Sequence, residues 1–173
     1  MTKAPYTDRS AILGGPPGHE GRYRYLLGRQ WEDPPQGTPV RTIGWIGYNP
    51  STADALKDDH TIRKEVEFSR RWGYHALWKG NIYAYRSTDW RKLALVADPV
   101  GPENPEWLTR LAGLCEVVVC AWGAMPMDHD HARQLAAWAL QLPHARFLGV
   151  TKAGMPRHPL MLSYRTPLQV VRV

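Results

Sequence analysis

One stretch constrains the fold more than any other: Ile43-Gly44-Trp45-Ile46-Gly47-Tyr48-Asn49-Pro50-Ser51-Thr52. An apolar run stops abruptly in Gly-Tyr-Asn-Pro-Ser, the pattern of a buried strand opening into a loop. Gly47 permits tight backbone geometry or the close approach of a ligand. Pro50 fixes its own φ and biases Asn49 toward an extended conformation. A polar amide is thereby presented at the carboxyl end of a strand, the edge where open α/β sheets bind ligands. The plainer reading is a strand-to-turn junction with Asn49 and Ser51 as turn formers.

Strands and helices alternate around this stretch. Residues 1–21, with Gly14, Gly15, Pro16, Pro17 and Gly18, read as an irregular segment, and 22–173 as one α/β domain. Strands are predicted over 23–31, 41–48 and 76–83. Asp58-Asp59-His60-Thr61 is rich in capping residues; Ile62, Val66, Ser69 and Trp72 follow at helical spacing, and Gly73 stops the helix. Asn104-Pro105-Glu106 opens a second helix as cap, first-position proline and acid. The run 115–121 holds three consecutive valines, as in a parallel strand covered on both faces. A helix over 128–142, a strand over 145–150 and an edge strand within 167–173 complete the order. Such alternation predicts a three-layer α/β/α domain with a mainly parallel central sheet.

Lys plus Arg outnumber Asp plus Glu 22 to 16, and the pI of about 9.5 favours a polyanionic partner. Eight Trp and eight Tyr against two Phe suit both half-buried core sites and base stacking. Cys115 and Cys120 share one apolar run and read as core residues, too few for a four-cysteine zinc or iron–sulfur site. Asp128-His129-Asp130-His131 alternates ligand types, but on a helix neighbours two apart do not share a face. No metal or cofactor is therefore expected. No signal peptide or apolar run of spanning length is visible, which predicts a cytoplasmic protein without a membrane partner; a monomer is expected.

Three further groups fall at predicted strand ends. Asn81 closes 77–81, Trp122-Gly123 closes the valine strand, and Arg157-His158-Pro159 follows the last strand. With Asn49, these should gather on one edge of the sheet. Their structural alternatives are a strand end for Asn81, a core position for Trp122 and a surface loop for His158.

These residues bring two resemblances. The chain is identified as a member of the DUF1643 family on Asn49-Pro50-Ser51-Thr52-Ala53, Asp59 with Thr61-Ile62-Arg63, Gly73-Tyr74, the Asn81 strand, Asp98 through Asn104, and Ala121-Trp122-Gly123. Motif order is also similar to the uracil-DNA glycosylase superfamily. There, a Gly-x-Asp/Asn-Pro loop holds the catalytic water, a strand ends in a base-reading Asn, a Leu-Trp-Gly strand end follows, and a late His-Pro-Ser loop enters the minor groove. Gly47-Tyr48-Asn49-Pro50, Asn81, Trp122-Gly123 and His158-Pro159 resemble these in order. The last loop here is His-Pro-Leu, Ser51 stands where many members carry Tyr, and no stacking Phe is assignable.

The second resemblance implies a nucleic-acid-binding protein, with DNA as partner, that hydrolyses the N-glycosidic bond of a modified or damaged base. Base removal passes through an oxocarbenium-like state and needs a positioned water, stabilisation of the departing base anion and a pocket for a flipped base. Asn49 would position the water, and a neutral His158 would donate to base O2 as charge develops. Tyr48, Pro50, Ser51, Asn81 and Trp122 would form the base pocket, with Asn81 offering a donor and an acceptor to a uracil-type edge. Arg63, Lys64, Arg70, Arg71, Lys152 and Arg157 would meet phosphates. Leu160 or Met161 would be exposed beside the cleft and fill the gap left by the base; otherwise they are core residues entering a terminal strand. The competing readings are a non-catalytic binding module of the same fold and a hydrolase or transferase of free nucleotides.

Overall fold

The computed structural model describes residues 6–170. In chain order the elements are β1 (Asp8–Gly14), β2 (Tyr23–Gln30), β3 (Thr42–Gly47), α1 (His60–Arg71), β4 (Ala76–Asn81), α2 (Asn104–Leu114), β5 (Val117–Cys120), α3 (Asp130–Gln141), β6 (Ala145–Phe147) and β7 (Gln169–Val170). Short stretches of 3-10 helix lie at Trp90–Leu95 and Pro159–Met161.

All seven strands form one sheet in the order β1-β2-β4-β3-β5-β6-β7. Pairings β4–β3, β3–β5 and β5–β6 are parallel, whereas β1–β2, β2–β4 and β6–β7 are antiparallel. The sheet is mixed, which corrects the expectation of a mainly parallel one. Strands that run parallel need a crossover, usually helical; only turns and irregular chain join β2 to β3, so β2 runs opposite to β3 and to β4, which lies between them.

Within the segment 1–21, expected to be irregular, Asp8–Gly14 form a strand, while residues 1–5 lie outside the described part. The segment's glycines and prolines mark the turn of a hairpin: β1 pairs with β2 from Asp8↔Gln30 to Gly14↔Tyr23. Gly18 takes φ +81° in that turn, a conformation that favours glycine. The expected tail strand is present as β7, and residues 171–173 lie outside the described part.

Helices cover the sheet by burying one face each. Ile62, Val66 and Phe68 of α1 share a core with Ile43, Trp45, Leu77 and Val119. Leu108 and Leu111 of α2 and Ala132, Leu135 and Ala139 of α3 share another with Leu26, Ile46, Val118 and Cys120. Successive residues of β5 thus enter opposite cores, the physical reason its valines do not alternate with polar residues. Each fully buried aliphatic or aromatic side chain contributes roughly 1.5–3 kcal/mol.

β2 departs from its expected pattern in a way that matters for the site. The sequence alternates Tyr23, Tyr25 and Leu27 against Arg22 and Arg24, which reads as an apolar face and a polar one, yet Arg24 is buried, and so is Arg29 further along the strand. They hold the loop after β3 from beneath. Arg24 Nη1 donates to Ala53 O at 2.5 Å, and Arg29 Nη2 donates to Asp54 O, while its Nε pairs with Asp58 Oδ1 at 2.8 Å.

Candidate functional site

β3 and β4 end side by side, with Gly47 paired to Asn81. The chain leaving β3 stays registered with the chain leaving β4, because Ile82 N donates to Gly47 O and Tyr83 N to Tyr48 O, both at 2.9 Å. Asn104 fixes the same junction from α2: its Nδ2 donates to Asn81 O at 2.9 Å and Ile82 O at 3.0 Å. Asn104 was expected to cap α2, but Glu103 holds that position and Asn104 is wholly buried. Its amide supplies donors to carbonyls that have left the sheet ladder.

Above this junction lies a cavity of about 390 Å³, within the range of small-molecule sites. Asn49, Asn81, Trp122 and His158 all line it, as do Tyr48 and Ser51. Pro50 does not; its ring is buried and its carbonyl accepts from Asn49 Nδ2 and Ser87 N. The cavity also takes in Arg24, Thr61, Lys79 and Trp90, none of which the sequence singled out as a binding residue, and Asp59, which reads from the sequence as a helix cap with a water-positioning carboxylate as the alternative.

Asn49 donates from Nδ2 to Pro50 O at 3.0 Å and to Ser87 O at 2.8 Å. With its amide hydrogens committed, the remaining function of the side chain is its Oδ1 acceptor. Asn81 is 1% exposed, and its Nδ2 has no partner. A buried unmet donor of this kind costs roughly 1–3 kcal/mol. Trp122 is buried in the core and also carries an unpartnered Nε1.

His158 reaches the cavity because its loop is pinned to two strand ends. Gly123 N donates to Pro156 O at 2.8 Å, and Arg157 N donates to Gly149 O at 3.0 Å. Its Nδ1 accepts from Leu160 N at 3.3 Å. Burial, then the nearby Lys79 ammonium, hold the imidazole down to about pKa 4, against the pull of Asp59. At neutral pH it is uncharged, and with Nδ1 accepting, the ring hydrogen sits on Nε2.

Beneath Asn81, Lys79 Nζ donates to Glu65 Oε1 at 2.5 Å. Both residues are buried, and Glu65 Oε2 has no partner. Burial pushes the Glu65 carboxyl up, while Lys79 draws it down. Gly47 makes room for this pair: a β-carbon there would stand 2.5 Å from Lys79 Nζ and 3.0 Å from Asn81 Oδ1.

A second, larger groove of about 1060 Å³ opens on the other side of the first turn of α1. Arg63, Lys64 and Arg70 line it together with Arg9, Lys57 and Leu160. Lys64 Nζ sits 3.8 Å from the centre of the Tyr164 ring, and Arg71 caps the same ring at 4.7 Å. Lys152 and Arg157 are exposed on the final loop and line neither concavity. Leu160 is 41% exposed and Met161 90%, whereas Leu162 is buried. Among the described residues no cluster of three or more His, Cys, Asp or Glu could hold a metal ion. No helix there is long and apolar enough to cross a membrane.

The architecture defines an α/β domain with a polar cavity at the carboxyl ends of its parallel strands. By sequence the chain belongs to the DUF1643 family, whose description is "Protein of unknown function" and whose family model matches residues 24–160. No curated protein matches the chain, and no solved structure does.

Proposed function

We propose that this protein is a nucleic-acid-binding N-glycosylase that hydrolyses the bond to a modified or damaged base, on a three-layer scaffold of the uracil-DNA glycosylase type. The observation behind this reading is the buried, unpartnered amide of Asn81 on the wall of a cavity shared with Asn49 and His158. An amide with unmet hydrogen-bonding capacity suits the paired donor and acceptor edge of a pyrimidine-type base. Asn49 Oδ1 accepts from the attacking water, orienting it without abstracting a proton strongly. His158 Nε2–H donates to the base oxygen that gains charge as the bond breaks. The basic groove beside α1 receives the backbone, and the exposed Leu160 and Met161 fill the gap left by the extruded base.

The test is incubation with a panel of oligonucleotides carrying single modified bases, scored for abasic sites by alkaline strand cleavage. Cleavage at one modification, lost in Asn49→Ala and reduced in His158→Ala, is the expected result. A protein that binds such DNA without cleaving any member of the panel is the non-catalytic module instead.

A further inference from the structure

The buried arginines of β2 are not alike. Arg29 has a carboxylate partner in Asp58. Arg24 makes no ion pair among the described residues, although it is 2% exposed. One nitrogen, Nη1, reaches Ala53 O, and Nε has no partner at all. Burial lowers its pKa only to about 10, so the group remains a cation at neutral pH. Buried charges in proteins are paired or bind an ion, and Arg24 lines the cavity.

A second feature faces the same space. The first turn of α1 contributes Thr61 and Ile62 to the wall. This helix has 12 residues and no acidic side chain in its first turn, and its cap, Asp59, takes up Ile62 N. The Asp59 carboxylate meets part of the positive end of this helix, and the helix dipole still favours a further anion beside Thr61. The Ser51 hydroxyl lies on the same cavity. Lys79, the other buried cation on this cavity, is already paired with Glu65; among the described residues Arg24 has no carboxylate within ion-pair distance, and the Asp59 carboxylate on the same wall acts on it only through space.

We propose that the cavity holds a phosphate-type oxyanion on Arg24, Thr61 and the first turn of α1, so that its ligand is a nucleotide rather than a bare base or nucleoside. The phosphate can belong to a free nucleotide or to a strand. The proposal stands apart from glycosidic chemistry, since phosphate binding is read without any base being released.

Calorimetric titration tests it with four probes: inorganic phosphate, deoxyuridine, deoxyuridine 5′-monophosphate and a single-stranded deoxyuridine-containing oligonucleotide. The phosphorylated ligands should bind at least tenfold more tightly than the nucleoside, as charge-assisted hydrogen bonds imply. Arg24→Met should abolish that difference; it exchanges a buried charge for an apolar chain of similar length but also removes the bond to Ala53 O, so its fold is checked by circular dichroism. Thr61→Val supplies a second variant, expected to reduce the preference several-fold, should the first fail to fold. Tight binding of the monophosphate assigns the site to free nucleotides, and tight binding of the oligonucleotide alone assigns it to a strand. Equal binding of nucleoside and monophosphate with no gain for the oligonucleotide overturns the proposal, as does a preference unchanged in Arg24→Met. Failure of all four probes to bind also overturns it.

Discussion

Lys79 Nζ lies 2.5 Å from Glu65 Oε1, and the two side chains are buried together under the cavity that Asn49, Asn81 and His158 line. The pair ties β4 to α1, one element supplying the ammonium and the other the carboxylate. Removing one partner leaves the other buried and uncompensated. Lys79→Met should cost about 3–5 kcal/mol in urea unfolding. Replacing both, as Lys79→Met with Glu65→Leu, should recover most of that loss. A double variant as unstable as the single one would show that the pair is not what the stability depends on.

Gly47→Ala should disturb the same place from above. The added methyl meets the ammonium of Lys79 and the amide oxygen of Asn81. Lys79 cannot simply swing away while Glu65 holds it in a buried site. A loss of about 1–3 kcal/mol is expected, together with weaker ligand binding. Thermal unfolding and calorimetry on one preparation check both.

His158 makes stability depend on pH in a defined direction. Its folded pKa of about 4 lies below the ordinary 6.5. As pH falls below about 6.5 the unfolded chain takes up a proton that the native imidazole refuses. Stability from this group is therefore complete above pH 6.5 and is lost between about 6.5 and 4. Solvent at the cavity mouth screens part of the effect, leaving on the order of 1–3 kcal/mol. His158→Asn should flatten that portion of the stability curve. A direct check is the imidazole nitrogen spectrum, which should show the Nε2–H tautomer at pH 6.

The final loop separates by exposure into a buried Leu162 and the exposed Leu160 and Met161. Leu162→Ala should cost roughly 2–5 kcal/mol, as for a buried leucine. Met161→Ala should leave stability within about 0.5 kcal/mol and weaken duplex binding. Leu162→Ala and Met161→Ala with equal stability would remove the basis for treating Met161 as a wedge.

Electrostatic contacts should show in salt dependence. Arg63→Gln and Lys64→Gln each remove one cation from the groove beside α1. Each should lower the slope of log affinity against log salt by about 1 for duplex DNA, with little change in sequence preference. Unchanged slopes would place the backbone elsewhere.

Much of this site was legible because its residues sit where periodic segments end. Asn49, Asn81, Trp122 and His158 follow runs whose burial is written in their apolar content, and all four line one cavity. Arg24 and Lys79 were not legible. Each sits inside a strand, flanked by apolar neighbours, and a charged residue there reads as the solvent side of an alternating pattern. What reverses that reading is the loop 53–58 over β2 and the Glu65 carboxylate across from β4, both tertiary contacts. The hairpin of β1 and β2 was hidden for another reason. Its Gly/Pro-rich turn resembles the start of a chain that has not yet folded, and only the pairing of Asp8–Gly14 with β2 distinguishes the two.

The reversed direction of β2 has a consequence for how this scaffold can diversify. In a purely parallel set, every strand delivers its last residue to the ligand edge, and the loops beyond hold most of the variation. β2 runs the other way, beside β4, and so brings the beginning of a strand, with Arg24, to that edge. The position is framed on one side by β1, where Arg24 pairs with Leu13, and on the other by the chain after β4, where Arg24 N donates to Ala84 O at 2.9 Å. Because the same guanidinium also holds Ala53 of the loop after β3, a change of charge at this one position would alter the electrostatics of the cavity and the seating of that loop together.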